Sequence, residues 1–141
     1  MTSALIVDDD TDMRALVRAV LEPAGFEVTE ATTGSEALVS LHTGALPDIV
    51  VLDVQMPELN GWETLAAIRS QPRTSTVAVV LCTVRAQQAD RERGWMLGCD
   101  GFVAKPFSIT HLLAEVIAVC DRSAAERSAL RSDQRRKLAG A

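Results

Sequence analysis

Long apolar runs are missing from this 141-residue chain, and none approaches the roughly 20 residues that cross a bilayer. The N-terminus also lacks the basic-then-apolar layout of a secretory leader. Cysteine is scarce: Cys82, Cys99 and Cys120 are odd in number and lack CxxC spacing, which argues against a disulfide framework and a cysteine zinc site. Histidine is scarcer still. His42 and His111 fall in separate helical patterns with no second His or Cys at ligand spacing, so both read as surface or half-buried helix residues. No segment repeats and none is of low complexity. The setting these absences favour is a reduced, cytoplasmic one, with no membrane span.

Basic charge is also in short supply over most of the chain. The formal net charge is −5, but residues 1–120 carry 16 acidic and 8 basic side chains, whereas residues 121–141 carry 3 and 6. Contacts to nucleic-acid phosphates need Lys and Arg, so the acidic body argues against direct nucleic-acid binding. Trp62 and Trp95 lack a flanking basic stripe and read as packing residues, Trp95 with a possible place on a partner-binding face. The basic tail reads as a solvated helix or a frayed end. What remains is ordinary for a globular protein: 48% hydrophobic and 23% charged residues, enough for one full core.

Five short apolar runs punctuate the chain: "ALIV" before Asp8, "FEVTEA" from Phe26, "DIVVL" before Asp53, "VAVVLC" before Thr83 and "GFVA" before Lys105. Four are nearly continuous in apolar or small residues, the pattern of strands covered on both faces. "FEVTEA" alternates and reads as the edge strand. Helical spacing fills the gaps, beginning with Met13, Leu16, Val17, Val20 and Leu21 behind a cap at Asp10 or Thr11. Later helices open on Thr or Ser caps, and stop signals follow at Gly25, Gly44, Pro72 and Gly98. Strict alternation of strand and helix predicts a doubly wound α/β domain: five parallel strands with five helices on the two faces. The domain spans residues 1–121, and residues 122–141 form a helical extension or flexible tail. That tail is too short for a further domain.

Polar residues end four of the five strands: Asp8 and Asp9, Asp53, Thr83, and Lys105. All fall at carboxyl ends, where open α/β sheets place their sites. The edge strand is expected to contribute nothing. Three neighbouring carboxylates repel unless a cation sits among them, and an all-oxygen donor set suits Mg2+. Lys105 adds a fixed positive charge and Thr83 a hydroxyl donor. Together they form a clamp for a phosphoryl group, with Asp53 as nucleophile. Taken singly, each has an ordinary reading. Asp8, Asp9 and Asp10 suit a helix start, Asp53 can open a loop, and "KPF" is a turn.

The ordered blocks "LIVDDD", "VVLDVQMPELNGWE", "LCTV" and "DGFVAKPF" resemble the receiver domain of two-component response regulators, over roughly residues 3–120. The resemblance implies a flavodoxin-like strand order of 2-1-3-4-5 and a cis peptide before Pro106. It also implies that Asp53 accepts a phosphoryl group from a histidine kinase or phosphotransfer protein. By the same analogy, Asp8, Asp9 and Asp53 hold Mg2+ with the carbonyl of Gln55. Thr83 and Phe102 are the switch pair, and Lys105 pairs with the phosphoryl group. A downstream protein would read the face built from the fourth helix, fifth strand and fifth helix.

Several positions depart from the commonest pattern. Val84 stands where Ala or Gly usually follows the switch Thr, and its bulk should narrow access to the acyl phosphate. Gln55 and Arg85 lie at positions that tune dephosphorylation in the family. Phe102 lacks the hydroxyl of a Tyr. His111 and Glu115 replace the acidic residue and the Arg usual in winged-helix members, and so depart from those members' familiar dimer. Such a domain is a signalling receiver and not an enzyme in the turnover sense. Two other classes compete with it. One is a receiver-like interaction module that is never phosphorylated. The other is a Mg2+-dependent aspartyl phosphohydrolase of the haloacid-dehalogenase type. That type needs DxDx followed by Thr or Val, and Asp12 stands there instead.

Overall fold

All five apolar runs become strands in the computed structural model, which describes residues 2–140: β1 (Thr2–Val7), β2 (Phe26–Ala31), β3 (Ile49–Asp53), β4 (Ala78–Thr83) and β5 (Gly101–Ala104). They pair in parallel in the order β2-β1-β3-β4-β5, with β2 at one edge. The helices are α1 (Thr11–Leu21), α2 (Gly34–Thr43), α3 (Gly61–Ser70), α4 (Gln88–Leu97), α5 (Ile109–Asp121) and α6 (Ala124–Ala139). A 3-10 turn at Glu22–Ala24 follows α1. Of the two cap candidates for α1, Asp10 serves, accepting from the N–H groups of Asp12 and Met13.

Side-chain alternation in the strands builds two cores. Leu5, Val7, Val50, Leu52, Val79 and Leu81 face α2 and α3, where Leu41, Leu65 and Ile68 meet them. Their neighbours Ala4, Ile6, Ile49, Val51, Ala78 and Val80 face α1 and α5, against Val17, Leu21, Leu112 and Val116. Each Val, Leu or Ile among them contributes about 1.5–3 kcal/mol when buried, so these two layers hold the sheet in register. Covered on both faces, the central strands have no polar alternation. That is why their sequences read as continuous apolar runs.

Among the described residues the helices number six, which corrects the expected five. After α5 ends, Ser123 and Glu126 form a capping box that starts a separate helix. This helix is anchored rather than frayed. Arg131, only 7% exposed, pairs with the buried Asp100, whose other carboxylate oxygen accepts from Arg69 Nη2 at 2.8 Å and from the Val79 N–H at 2.9 Å. Arg127 adds a bond to the Thr76 carbonyl at 3.0 Å. Arg69 in turn reaches the Gly98 carbonyl at 2.8 Å, which ties the end of α3 to the end of α4. Gly98 closes α4 at φ 100°, a conformation that favours glycine.

Candidate functional site

Asp8, Asp53 and Lys105 each lie one step beyond a strand residue of opposite facing, so period two aims them toward the α1/α5 side. Parallel pairing then brings the strand ends together. Ligand oxygens of Asp8, Asp9 and Asp53 all lie within 4.8 Å of one another. Asp8 and Asp53 are buried, and Asp9 is exposed. Lys105 Nζ sits 2.8 Å from Asp8 Oδ2 and 3.5 Å from Asp53 Oδ1.

The backbone around these carboxylates is held by local bonds. Asp8 Oδ1 accepts from the Asp10 N–H at 2.9 Å, and Asp53 Oδ1 from the Gln55 N–H at 3.3 Å. Gln55 thus meets the site through its N–H. The "LNG" step after Met56 has a packing cause. A Cβ on Gly61 would fall 2.3 Å from the Asp53 carbonyl oxygen, so only glycine lets α3 start against the end of β3. The Gly61 N–H closes that contact on the Val54 carbonyl at 2.9 Å.

Thr83 is fully buried, with its hydroxyl oxygen accepting from the Arg85 N–H at 3.0 Å. Val84, next to it, is 59% exposed. Phe102 is buried, with the Arg91 guanidinium 4.9 Å from its ring centroid. The Lys105–Pro106 bond is cis. Trp62 packs in the core, with Arg93 over its ring at 4.7 Å. Trp95 is half-buried against the same core, and His42 and His111 are exposed. Glu115 lies over Gly101, where a Cβ would meet its Oε1 at 2.7 Å.

Electrostatically the crevice is short of positive charge. Each carboxylate pair at such separations repels by about 3–4 kcal/mol at an effective dielectric of ~20, and one ammonium cannot balance three carboxylates. Burial, opposed by Lys105 and reinforced by Asp8, pushes the Asp53 carboxyl up to about 6. Burial alone would lower the Lys105 ammonium, but its hydrogen bond to Asp8 and the charge of Asp53 more than offset this, and its pKa is raised. Beneath them the Cys82 thiol is pushed up by burial to about 12 and stays protonated. Three hard oxygen donors with a deficit of positive charge fit a divalent cation such as Mg2+.

The edge strand does reach this site, contrary to expectation. Glu30 on β2 holds Arg14 Nε at 2.9 Å, and Arg14 Nη1 donates to the Asp8 carbonyl at 2.8 Å. Sequence reading missed the pair because its members are 16 residues apart on different elements. The available signal was an acid on the solvent face of the alternating strand, facing a helix with Arg14 and Arg18 one turn apart.

Residues 4–117 match the family model of the response regulator receiver domain. The chain is 42% identical over 124 residues to a transcriptional regulatory protein CpxR homolog of Haemophilus influenzae, covering 88% of this chain and 52% of that protein. It is 36% identical over 121 residues to the phosphate regulon transcriptional regulatory protein PhoB of Rhizobium meliloti, covering 86% and 53%. The chain therefore spans about half the length of these curated relatives. Among solved structures, the Vibrio cholerae chemotaxis protein CheY4 matches with a TM-score of 0.79 at 31% identity, over 84% of this chain and 98% of that one.

Proposed function

Because the chain belongs to the response regulator receiver family, we propose that Asp53 accepts a phosphoryl group in a two-component phosphorelay. The observation that carries this reading is the meeting of three carboxylates within 4.8 Å, with Lys105 bridging two of them. A carboxyl at about 6 is mostly ionised at neutral pH, so Asp53 is ready as a nucleophile.

Asp8, Asp9 and Asp53, with the Gln55 carbonyl, would hold Mg2+. Bound there, the ion supplies positive charge to the phosphoryl oxygens. An Asp53 carboxylate oxygen attacks phosphorus in line, forming the P–O bond as the donor's P–N bond breaks, and the electron pair leaves with the donor imidazole. Lys105 already lies between Asp8 and Asp53 and takes a phosphoryl oxygen. The Thr83 hydroxyl, now an acceptor from the Arg85 N–H, turns to donate to another. That move vacates space near buried Phe102, and the surface of α4, β5 and α5 changes for a downstream protein.

The donor is a histidine kinase or histidine phosphotransfer protein, and the setting is cytoplasmic. The protein catalyses only its own phosphorylation and slow dephosphorylation. Residues 1–121 are the receiver unit and residues 122–141 its extension, of which α6 packs against that unit. The test is acetyl phosphate labelling followed by intact-mass spectrometry. One phosphoryl adduct should form with Mg2+, and none with EDTA or in Asp53→Ala. Equal labelling of Asp53→Ala would remove Asp53 from the role.

A further inference from the structure

Asp9 projects from the turn between β1 and α1, and the peptide joining it to Asp8 lies beyond the paired part of the sheet. The last β1–β3 partners are Val7 and Leu52, and the last β1–β2 rung is the Asp8 N–H on the Ala31 carbonyl at 3.2 Å. The Asp8 carbonyl is gripped by a side chain instead. Arg14 Nη1 donates to it at 2.8 Å.

Each of the three guanidinium nitrogens of Arg14 makes one bond within the fold. Its Nε bonds Glu30 Oε1 at 2.9 Å, and its Nη2 approaches Thr11 Oγ1 at 3.3 Å. The Arg14 side chain is 12% exposed. Glu30 is fixed from its other oxygen by Arg18, with Nη2 at 2.7 Å, and Arg18 also pairs with Glu22 at 3.3 Å. Two cations and two carboxylates cancel, so the ladder adds little net field at the crevice. All three guanidinium nitrogens of Arg14 are already tied to protein groups, and its side chain is turned away from solvent. Its remaining effect on the crevice is geometric: it sets the angle at which the turn presents Asp8 and Asp9.

We propose that Arg14 is a positioning residue for the divalent-cation site, with Glu30 on the edge strand setting its orientation. The inference rests on the reading of the acidic crevice as a Mg2+ site. Outer partners that orient metal ligands typically change affinity by about 10–100-fold when removed. Arg14 acts through backbone, so the low end applies.

The test is Mg2+ titration of phosphate-free protein by calorimetry, with the melting temperature of each variant read separately. Arg14→Ala should raise the half-saturating Mg2+ concentration about tenfold. Glu30→Gln, which keeps one acceptor but loses the charge, should raise it about threefold. Arg14→Lys reaches only one of the two partners and should fall between wild type and Arg14→Ala. Arg18→Ala should stay within about twofold of wild type, since Arg14 still holds Glu30. A lower melting temperature with unchanged Mg2+ affinity in Arg14→Ala would make the residue a mere tie between α1 and β2, and overturn the proposal. If Arg14→Ala does not fold, an unchanged Glu30→Gln titration overturns it equally. A wild type that binds no Mg2+ would overturn the metal reading itself, a different failure with a different signature.

Discussion

Two acidic sites lie at opposite ends of the sheet, and they treat charge in opposite ways. At the carboxyl end, Asp8, Asp9 and Asp53 share one ammonium, that of Lys105. At the amino end, Asp100 alone receives Arg69, Arg131 and the Val79 N–H. The first site is short of positive charge, and the carboxyl of Asp53 is pushed up to about 6. The second is saturated with donors. Burial there pushes the Arg69 guanidinium down to about 10, with Asp100 opposing the shift and Arg131 adding to it. A completed cluster holds structure together, whereas an incomplete one is a place where a ligand gains energy. The difference separates a fastener from the crevice proposed as the phosphoryl-accepting site, built of the same residue types.

Removing the saturated carboxylate should have the largest effect. Asp100→Ala leaves two buried guanidiniums without a counter-ion and should cost about 3–5 kcal/mol in urea unfolding. A loss below about 1 kcal/mol would mean that the arginines simply turn to water.

At the other site the sign reverses. Asp53→Asn should stabilise the metal-free protein by about 1–2 kcal/mol at pH 7.5, because the ionised form is the one that burial penalises. The linkage follows from the direction of the shift. The folded protein holds the Asp53 proton up to about 6, whereas an unfolded chain releases it near about 4. Between those values the folded state binds more protons, so this group's contribution to stability rises as pH falls through that window. Melting curves of wild type and Asp53→Asn from pH 7.5 to 4.5 should therefore converge at the acid end. Parallel curves would assign the pH dependence to other groups.

Arg131→Ala is a gentler test of the amino end. Asp100 keeps Arg69 and the Val79 N–H, so the expected cost is about 1 kcal/mol, carried by the loosening of α6. Hydrogen exchange should show faster exchange in Ala124–Ala139 with little change in the sheet. A cost as large as that of Asp100→Ala would show that the two guanidiniums act as one unit.

Smallest is the expected effect of Val84→Ala. Val84 is 59% exposed beside the fully buried Thr83, and the prediction is that its bulk narrows the approach to Asp53. The variant should take up and lose the phosphoryl group about threefold faster, with unchanged Mg2+ affinity, because misplacement at a reacting centre is costly in rate. Equal time courses would place the side chain off the access path.

Much of the carboxyl-end site was legible in the chain, because strand ends carry its residues and apolar runs mark the strands. Asp8, Asp53 and Lys105 each follow such a run directly. Asp100 also precedes a strand, but nothing local marks it as a docking point. Its partners lie 31 residues away on either side, at Arg69 and Arg131. The thin apolar spacing after Cys120 suggested a loose tail for the same reason: α6 is held by arginines rather than by an apolar stripe. Glu30 and Arg14 were hidden by distance along the chain and by the ordinary look of a charged residue on an edge strand.

On the proposed function, the charge deficit at the carboxyl end serves to receive a phosphoryl group on Asp53. Borohydride reduction measures this most directly, since it converts an aspartyl phosphate to homoserine. After acetyl phosphate and Mg2+ treatment, peptide mapping by tandem mass spectrometry should find homoserine at position 53, and aspartate retained at positions 8, 9 and 100. Homoserine at position 8 or 9, or aspartate retained at 53 in protein that carries the adduct, would rule out Asp53 as the acceptor.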